Sequence, residues 1–560
     1  MMFNQLKESV VELNARERIK SILDDNTFVE LIKPYEQFES PHLQKQGIVP
    51  QSDDGVTIAK GLLNKNKVTV ISIEGEFQGG GIGEVSGAKI AGILERTLES
   101  CKNGELIIPI ILFDTGGVRL QEANYGLLSI AEIHSAIVEL RKYVPVIAVL
   151  PGKIGSFGGM GITAGLCSAI IMTKEARLGL NGPEVIEQEA GIREFDSSDR
   201  ILTWQTIGGE QRVKSGLADY LIGDDVEELK ETLHEIIEKD YQSERVKSYD
   251  YYLNILNNLN VEKRLSTDEI AQLYSGSEKV TTSQQYMKKN STIESRGRKW
   301  FELLCGDENI SEIPSLLVAD KEINGRKYRF IAIVPDENNV YPRVRNGEFG
   351  IREGWYIAKY LWEMINEDGG KNPRTVVPIV DVPGQAYGYN EELLGLHQAC
   401  AAAVFAYANA RINKHKIVTF IPGKAISGAF LSHGLQGNRL IAVNDKEVNV
   451  HVMSKKSAAL ITQRTLEELE EATKNIPAMA YDVESFSTLG ALSHLLDNIN
   501  VENPTKEDKV KMIKVIEESV DEIEISDYPE ISFRINSEIA KKQGRIASIQ
   551  VREKIKEQWK

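Results

Sequence analysis

Short apolar runs alternate with amphipathic segments over the first part of the chain. Each apolar run has a length typical of a buried strand, and each amphipathic segment places apolar residues at helical spacing. Strands that alternate with crossover helices are typical of an α/β unit with a largely parallel sheet. The pattern predicts strands at 67–74, 107–113 and 145–150, and helices at 86–100, at 122–142 and after residue 158.

The same order of strand, glycine turn, helix and strand occurs twice. Residues 109–117 read PIILFDTGG and residues 377–385 read VPIVDVPGQ, each an apolar run followed by Asp and a turn. Further along, residues 144–172 and 416–443 each contain a strand, Pro-Gly-Lys, a small-residue bend, a short helix and another strand. Self-similarity at a fixed offset indicates one architectural unit used twice. The sequence therefore predicts an α/β fold of two domains related by internal duplication.

Changes in composition along the chain indicate where these two units begin and end. The second unit opens with a helical pattern at 295–304 and continues with a strand at 327–335. From about residue 225 to 292 the sequence is polar, rich in Asn, Ser and Lys and poor in glycine turns. The predicted segments are an N-terminal domain 1–240, a linker 241–292, a C-terminal domain 293–503 and a helical tail 504–560 for packing or oligomerisation.

Two glycine-rich turns are the candidate binding elements. The segments 156–161 (SFGGMG) and 427–430 (SGAF) each follow a strand and open a helix. At such a position free backbone N–H groups and the helix dipole favour negative charge. A cradle of this kind suits an enolate oxygen. Most single glycines serve tight turns or close packing, so the prediction depends on the two turns occurring together.

Composition limits the classes of partner and compartment. The net charge is −16, which argues against nucleic acid and against an anionic membrane surface. The four cysteines are far apart and form no CxxC, so neither a zinc ribbon nor a disulfide framework is expected. The N-terminus lacks the apolar core of a signal peptide, and the most apolar stretch, 144–172, is broken by Pro151, Lys153 and glycines. We expect a cytoplasmic protein without a membrane span.

Two motifs that suggest cofactor sites are rejected on length and context. Residues 159–164 fit G-x-G-x-x-A, and Glu175 ends the next strand, as in a dinucleotide fingerprint. Too few residues remain for the helix, because a parallel crossover needs about a dozen or more. The segment VKMIKV (510–515) is faintly similar to the Met-Lys-Met of a biotin carrier but lies in a helical Lys/Glu pattern. Neither NAD binding nor biotinylation is expected.

Longer motifs carry a family resemblance. In the first half they are SPHL (40–43), FQGGGIGEVSGAK (77–89), FDTGGVRLQEAN (113–124), FGGMGI (157–162) and LGLNGPEVIE (178–187). In the second half they are SRGRKWF (295–301), VDVPGQAYGYNEELLG (380–395), GKAISGAFLSHGLQGNRLIA (423–442) and PAMAYD (477–482). The chain resembles the crotonase-like carboxyltransferases, and more closely the beta and gamma catalytic subunits of malonate decarboxylase fused end to end. It departs from that family at Ser86, usually His, and at Ser156, often Cys.

The resemblance implies two crotonase-like (ClpP/crotonase) domains and a decarboxylation. The implied substrate is a malonyl thioester on the prosthetic arm of an acyl carrier protein, and the products are an acetyl thioester and CO2. Loss of the carboxylate leaves an enolate, which fixed hydrogen-bond donors stabilise. The alternative activity, transfer of the carboxyl group to a biotin carrier protein or between acyl-CoA substrates, proceeds through the same enolate. No covalently bound cofactor is implied, and the implied partners are other malonate decarboxylase subunits and further copies of the chain.

The site residues follow from the resemblance position by position. The implied N–H donors lie around Gly158 and Gly159 in the first half and at Gly428 and Ala429 in the second. These two cradles hold the thioester oxygen and a second carbonyl. The implied pocket walls, where strands end, are Gly116, Gly117, Gly384, Gln385 and Tyr387.

Two further side chains in the second half are candidates for proton or carboxylate chemistry. His433 follows Ser427 on the helix that the turn opens, and it is the candidate acid that protonates the carbanion. The alternative is a histidine that only packs. Ser427 either donates to the carboxylate or caps the helix.

Further expectations concern the surface that binds the carrier protein and the other possible classes of function. An acidic carrier protein needs basic contacts on this acidic chain, and Arg411, Lys414 and Lys416 are the candidate patch.

A CoA-thioester hydratase or isomerase of the crotonase type needs a pair of Glu residues at the turns, which FGGMG and SGAFL do not supply. A non-enzymatic scaffold is disfavoured because both turns are intact. Whether the site forms within one chain or between chains is left open.

Overall fold

Two β-sheets with the same order of strands form the framework of the chain. The computed structural model describes residues 7–274, 291, 293–461 and 464–559. The strands are β1 (Val29–Leu31), β2 (Val56–Leu63), β3 (Asn66–Ile73), β4 (Ile108–Leu112), β5 (Ile147–Leu150), β6 (Ala169–Thr173), β7 (Tyr220–Ile222), β8 (Leu316–Ile323), β9 (Arg326–Ile333), β10 (Thr375–Ile379), β11 (Val418–Ile421), β12 (Ala425–Ile426), β13 (Arg439–Val443), β14 (Val450–His451) and β15 (His494–Leu496).

Helices connect the strands and cover the faces of both sheets. Within the described ranges, every helix is too short or too polar to cross a lipid bilayer. The helices are α1 (Ala15–Ile22), α2 (Glu84–Lys102), α3 (Ala123–Leu140), α4 (Gly158–Leu166), α5 (Pro183–Ala190), α6 (Arg200–Ile207), α7 (Gly209–Lys214), α8 (Val226–Glu238), α9 (Tyr249–Leu256), α10 (Thr267–Tyr274), α11 (Arg296–Cys305), α12 (Ile351–Asp368), α13 (Tyr389–Leu393), α14 (Leu396–Ile412), α15 (Ser427–Ser432), α16 (Lys455–Ile461), α17 (Leu466–Asn475), α18 (Val483–Ser487), α19 (Lys506–Ile525), α20 (Phe533–Asn536) and α21 (Ile546–Gln558).

Apart from β1, which has no counterpart in the second sheet, the two sheets agree in strand order and direction. The first runs β1-β2-β3-β4-β5-β6-β7, and the second runs β8-β9-β10-β11-β13-β15. An antiparallel hairpin, β2–β3 or β8–β9, opens the parallel part of each sheet. The strands beyond it are parallel, with Ile111 opposite Ala148 in the first sheet and Thr419 opposite Leu440 in the second. The repeated sequence pattern therefore falls on matching strands of the two sheets.

Helices fill the space between the two sheets and cover their outer faces. The central hydrophobic cluster is built mainly from α2, α3, α4, α12 and α14. The outer face of the first sheet packs against α1 and α8, and that of the second sheet packs against α11 and α19. Helices α4 and α14 meet at the centre, where a Cβ added to Gly165 would lie 3.0 Å from the Cβ of Ala401. This close crossing brings the two halves into direct contact.

The elements predicted from the hydrophobic pattern are confirmed. The predicted strands at 67–74, 107–113 and 145–150 correspond to β3, β4 and β5, and the predicted helices at 86–100 and 122–142 correspond to α2 and α3. Helix α4 has nine residues, short for the crossover helix of a dinucleotide-binding unit. Local periodicity therefore identified these elements to within a few residues.

The segment predicted to be a linker contains two packed helices, α9 and α10. Tyr252 of α9 stacks on Trp355 of α12, with ring centroids 4.3 Å apart. The Tyr274 hydroxyl at the end of α10 donates to the carbonyl of Leu394 in the second half. This part of the connection is therefore packed against the second half. Residues 275–290 and 292 of the predicted linker lie outside the described residues.

The C-terminal segment packs on both halves. Helix α19, which contains the VKMIKV motif, packs on the second sheet through Met512 and Ile516. Helix α21 crosses to the first half, where Ile555 lies 2.8 Å from the position that a Cβ on Gly92 of α2 would take. The side chain of Arg552 on α21 also pairs with Glu132 on α3. This tail therefore serves packing within the chain.

Candidate active site

A cavity of about 120 Å³ lies where the two halves meet. The first half reaches it mainly from the segments after β4, β5 and β6, and the second half reaches it from the segments after β10, β11 and β14. One chain therefore supplies both sides of the cavity. The residues that line it are Gly116, Val118, Leu120, Leu127, Phe157, Gly158, Gly159, Leu180, Asn181, Gly182, Val185, Gln385, Tyr387, Ser427, Gly428, Leu431, Val452 and Met453.

The first-half turn forms a backbone cradle at the start of α4. Gly158 has a φ of +56°, and Gly159 follows it in the helix. A left-handed residue followed by a helical one turns successive N–H groups towards the same side, which makes an anion-binding concavity. The N–H of Gly158 donates to the carbonyl of Leu180 at 2.8 Å. In the described part of the chain the N–H of Gly159 has no acceptor, so it is the donor available to a bound group.

The second-half turn repeats this conformation at the start of α15. Ser427 has a φ of +64° and is followed by Gly428. A left-handed conformation costs a non-glycine residue about 1–2 kcal/mol, and such strain is concentrated at functional sites. Among the described residues, the N–H groups of Gly428 and Ala429 have no acceptor. Ser427 does not cap the helix, since Ile426 occupies the cap position and no side-chain cap bond forms; the capping interpretation is wrong.

Each cradle is supported from behind by a hydroxyl four residues further along its helix. The Thr163 hydroxyl donates to the carbonyl of Gly159 at 2.9 Å, and the Ser432 hydroxyl donates to the carbonyl of Gly428 at 2.7 Å. These bonds hold the peptide planes that follow the two cradle glycines. The similarity of the two turns thus extends to the residues that support them.

The repeated Asp before each glycine turn is structural. Asp114 accepts from the backbone N–H of Gly155 and pairs with Arg18 of α1 at 3.0 Å. In the second half, Asp381 accepts from the N–H of Lys424 and from the N–H of Gly297 in α11, both at 3.1 Å. Each carboxylate therefore links the loop after the next strand to the first helix of its half. The two Asp residues position the turns without reaching the cavity.

The three predicted wall glycines differ in their position. Gly116 lines the cavity. Gly117, with a φ of +107°, lies directly behind it, and a Cβ there would come within 3.0 Å of the carbonyl oxygen of Phe157. Gly384, with a φ of +146°, lines a neighbouring cavity that shares Tyr387 with this one. A side chain at Gly117 would thus displace the first cradle.

A buried hydrogen-bond network holds one wall of the cavity together. The Glu392 carboxylate accepts from the backbone N–H of Asn181 at 2.7 Å and from its side-chain amide at 2.9 Å. The Gln385 amide donates to the Asn181 side-chain oxygen at 2.9 Å. Neither Asn181 nor Glu392 is among the site residues predicted from the sequence. Their only signal is their place within the motifs LGLNGPEVIE and VDVPGQAYGYNEELLG.

Tyr387 and Ser427 bring two hydroxyl groups to the cavity. The Ser427 hydroxyl lies beside the Tyr387 phenol. Burial, together with the nearby carboxylates of Glu189 and Glu348, raises the pKa of Tyr387 above its usual range. The phenol is therefore protonated at neutral pH. The described lining holds no acidic side chain, and the hydroxyls of Tyr387 and Ser427 are its hydroxyl groups.

His433 lies away from the cavity, which corrects its predicted role. Its side chain is fully buried, with Nδ1 2.9 Å from the Tyr407 hydroxyl and Nε2 3.2 Å from the carbonyl oxygen of Ile379. Burial lowers the pKa of His433 to about 4, so the ring is neutral at pH 7. Because both nitrogens are bonded inside the protein, His433 is a packing residue here and has no path to a carbanion in the cavity.

The predicted docking patch is also corrected. Arg411 is 4% exposed, and its guanidinium donates to the Ser135 hydroxyl at 2.8 Å and to Gln436 at 3.0 Å. Lys416 pairs with Glu524 of α19. Lys414 is exposed. A guanidinium that joins α14 to α3 inside the protein is not available to a partner, so these three residues do not form a basic surface.

Comparison with known proteins places the two halves in related families. The family profile for a carboxyl transferase domain matches residues 11–244, and the profile for the malonate decarboxylase gamma subunit matches residues 344–559. The malonyl-S-ACP:biotin-protein carboxyltransferase MADC of Malonomonas rubra is 43% identical over 242 residues, which cover 41% of this chain and 76% of that protein. The chain belongs to the malonate decarboxylase-type carboxyltransferases.

Other similar proteins also match part of the chain. The protein MADD of Malonomonas rubra, also named a malonyl-S-ACP:biotin-protein carboxyltransferase, is 36% identical over 167 residues, which cover 29% of this chain and 57% of that protein. A solved Pseudomonas malonate decarboxylase hetero-tetramer in complex with malonate has a chain that is 49% identical, with a TM-score of 0.47, covering 48% of this chain and 98% of that one. As a member of this family, the protein is an enzyme.

Proposed function

We propose that the chain decarboxylates a malonyl thioester, carried on the prosthetic arm of an acyl carrier protein, to an acetyl thioester and CO2. The observation that carries the proposal is the pair of cradles, one from each half, on one cavity. The cavity is small and partly apolar, with Leu127, Leu180 and Leu431 in its wall. Backbone donors in a site of this kind stabilise developing negative charge more strongly than water does.

The reaction needs one oxyanion site and one carboxylate site. The bond between the methylene carbon and the carboxylate breaks, its electron pair forms the enolate, and CO2 leaves. One cradle, at Gly159 or Gly428, holds the thioester oxygen as it becomes negative. The other holds a carboxylate oxygen and keeps that group out of the enolate plane. Because both cradles are fixed before the substrate arrives, the stabilisation requires no reorganisation during the reaction.

The enolate carbon must then take up one proton. Tyr387 and Ser427 bring the hydroxyl groups of the cavity lining, and His433 is excluded by its burial. We assign the donor role to the Tyr387 phenol, since a phenol is ordinarily a stronger acid than the aliphatic hydroxyl of Ser427. The Ser427 hydroxyl beside it is positioned to return a proton from water. This assignment replaces the histidine that the sequence predicted.

Tyr387→Phe is expected to lower kcat for malonyl-thioester decarboxylation by about 100-fold, a typical effect of losing a general acid. The matched control is Tyr389→Phe, because the Tyr389 hydroxyl donates to the carbonyl of Leu265 and does not line the cavity. Initial rates of CO2 release from a malonyl-S-carrier protein measure both variants. A loss of less than about threefold in Tyr387→Phe would transfer the donor role to Ser427.

A second activity is carboxyl transfer to a biotin carrier protein. The observation that favours it is the name of the relatives MADC and MADD, both described as malonyl-S-ACP:biotin-protein carboxyltransferases. Both activities use the same enolate and the same cradles, and they differ in whether CO2 leaves or is captured. A crotonase-type hydratase or isomerase is disfavoured, since the described cavity lining lacks the carboxylates that such chemistry needs.

The decisive experiment incubates the purified chain with malonyl-S-carrier protein and follows released CO2 and acetyl-S-carrier protein, with and without biotin or a biotin carrier protein. Release of CO2 in stoichiometric amounts without biotin supports decarboxylation. Strict dependence on biotin, with carboxybiotin as product, supports transfer. No turnover of the malonyl thioester under either condition would remove the proposed function.

The organisation of the chain is part of this proposal. We propose that the halves 1–240 and 293–503 arose by duplication, which the matching strand orders and cradles support. The segment 241–292 then joins them, and residues 504–560 form a tail. We further propose that the chain acts with an acyl carrier protein and other malonate decarboxylase subunits and assembles as a homo-oligomer. The hetero-tetramer named for the Pseudomonas relative supports a multi-subunit enzyme.

A further inference from the structure

One polar atom in the cavity wall has no partner. The side-chain oxygen Oε1 of Gln385 is buried without a hydrogen bond in the described structure, and Gln385 is 4% exposed. Gln385 lines the cavity, and its Oε1 lies 3.5 Å from the position that a Cβ on Gly428 would take. A buried acceptor without a donor is costly, at about 1–3 kcal/mol. A ligand that brings a hydrogen-bond donor to this point in the cavity would remove that cost.

The orientation of the Gln385 amide is fixed by a chain of bonds that begins at Glu392. The Asn181 amide nitrogen faces two acceptors, the Glu392 carboxylate at 2.9 Å and the carbonyl of Ala386 at 2.8 Å. Turning that amide over would place its oxygen against both acceptors. The Asn181 oxygen must therefore face Gln385, and it requires the Gln385 nitrogen as its donor. This leaves Gln385 Oε1, an acceptor, directed at the cavity.

Backbone N–H groups and a nearby arginine stabilise the Glu392 carboxylate in its position. Burial raises its pKa, but Arg212 and the N–H groups of Asn181 and Leu180 act in the opposite direction. Its carboxylate accepts from the N–H of Leu180 at 3.1 Å, and a Cβ on Gly179 would lie 2.7 Å from its Oε2. The absence of a side chain at Gly179 lets the carboxylate reach this loop from the other half of the chain.

We infer that Gln385 Oε1 accepts a hydrogen bond from an amide N–H of the substrate, with Glu392 and Asn181 as positioning residues. The inference rests on the proposed function and names the part of the substrate that the wall recognises. In a carrier-bound thioester the first amide nitrogen of the arm lies five bonds from the thioester oxygen. If the N–H of Gly428 holds that oxygen, the amide N–H falls beside Gln385. A carboxylate would be repelled at this position, because Oε1 carries partial negative charge.

Two small substrates test this directly. The malonyl thioester of N-acetylcysteamine carries the amide N–H, and that of 2-acetoxyethanethiol has an ester oxygen in its place with little change in shape. The wild-type enzyme is expected to prefer the first by about tenfold or more in kcat/KM, because a site built for a donor rejects an analogue without it. Gln385→Met is expected to reduce this preference to about twofold or less. The control Gln398→Met, at a buried amide outside the cavity, is expected to retain it.

The positioning residues have their own test. Glu392→Gln is expected to lower the preference for the N–H substrate by about fivefold or more, since the Asn181 and Gln385 amides become free to turn. Glu391→Gln alters the neighbouring buried carboxylate, which is outside the network, and is expected to leave the preference intact. A purely structural role of Glu392 would lower activity towards both substrates equally. If Glu392→Gln does not fold, Asn181→Ala provides the same measurement.

The outcomes separate the inference from the proposed function. Loss of the preference in Gln385→Met supports recognition of the carrier-arm amide. An unchanged preference, or a wild-type enzyme that turns over both thioesters equally, would overturn it even though decarboxylation stands. If the wild-type enzyme shows no preference between the thioesters and Gln385→Met raises the KM for biotin, the acceptor belongs to a ureido N–H and the carrier-arm assignment is overturned. Turnover of neither thioester would remove the proposed function and the inference together.

Discussion

Replacing Gly159 by glycolic acid, which exchanges its backbone N–H for an ester oxygen, is expected to lower kcat for malonyl-thioester decarboxylation by about 100- to 1,000-fold. This corresponds to about 2.7–4 kcal/mol, the typical cost of removing one oxyanion donor. Among the described residues the N–H of Gly159 has no acceptor, so the exchange breaks no bond within the protein. The same exchange at Gly428 tests the second cradle. Nonsense suppression with an α-hydroxy acid introduces either change into the full chain.

The control for this experiment is the same exchange at Gly161. Its N–H donates to the carbonyl of Phe157 at 3.1 Å in the same helix, α4, and does not line the cavity. That ester costs a helix bond and is expected to change kcat by less than about threefold. If the Gly159 and Gly428 esters behaved like the Gly161 ester, the cradles would have no role in the chemistry. If only one of the two lost activity, that cradle would be the one that holds the enolate oxygen.

Glu132→Gln is expected to lower the free energy of unfolding by about 3–5 kcal/mol, the usual cost of removing one partner of a buried ion pair. Glu132 is 4% exposed and pairs with Arg545 and with Arg552, the latter at 2.7 Å. These contacts join α3 to the C-terminal tail. The matched control is Glu139→Gln on the same helix, whose 2.7 Å pair with Lys102 is partly exposed and worth less than about 1 kcal/mol. Urea unfolding at pH 7 measures both.

The ion pairs of Glu132 also predict how the free energy of unfolding changes with pH. Burial would raise the pKa of Glu132, but Arg545 and Arg552 lower it from 4.5 to about 2. A carboxyl whose folded pKa is lowered contributes stability above its unfolded pKa and loses it as the pH falls. The difference in unfolding free energy between the wild type and Glu132→Gln is therefore expected to shrink from pH 5 to pH 3. A constant difference over that range would show that Glu132 is not the titrating group.

Much of the fold could be predicted from the sequence, because its signals are local. Apolar runs and helical periodicity located β3, β4, β5, α2 and α3 to within a few residues. The repeated pattern also fell on matching strands of the two sheets. The connection was less predictable. The polar composition of this segment predicted a linker. In the structure its helix α9 packs through Tyr252 on Trp355, a contact between positions distant in the sequence.

The candidate site was predicted in part, and the errors share one cause. The helix expected after Ser427 is present as α15, but it ends at Ser432, and the His433 side chain just beyond it is held by Tyr407 and Ile379 in other elements. Arg411 was expected in a basic patch that docks the carrier protein, whereas Gln436 and Ser135 bind it inside the protein. Burial of a polar side chain is a property of the assembled layers, and no local pattern encodes it.

By itself the sequence determined the two glycine turns, their position after buried strands and the motifs of the family, since turn conformation and strand periodicity are set by neighbouring residues. Only the tertiary structure decided that both turns line one cavity within one chain and which N–H groups are free. It also decided that Glu392 holds Asn181, 211 positions away, and through it Gln385. The physical reason is that such contacts arise where α4 and α14 pack between the sheets, which joins residues that no sequence window contains.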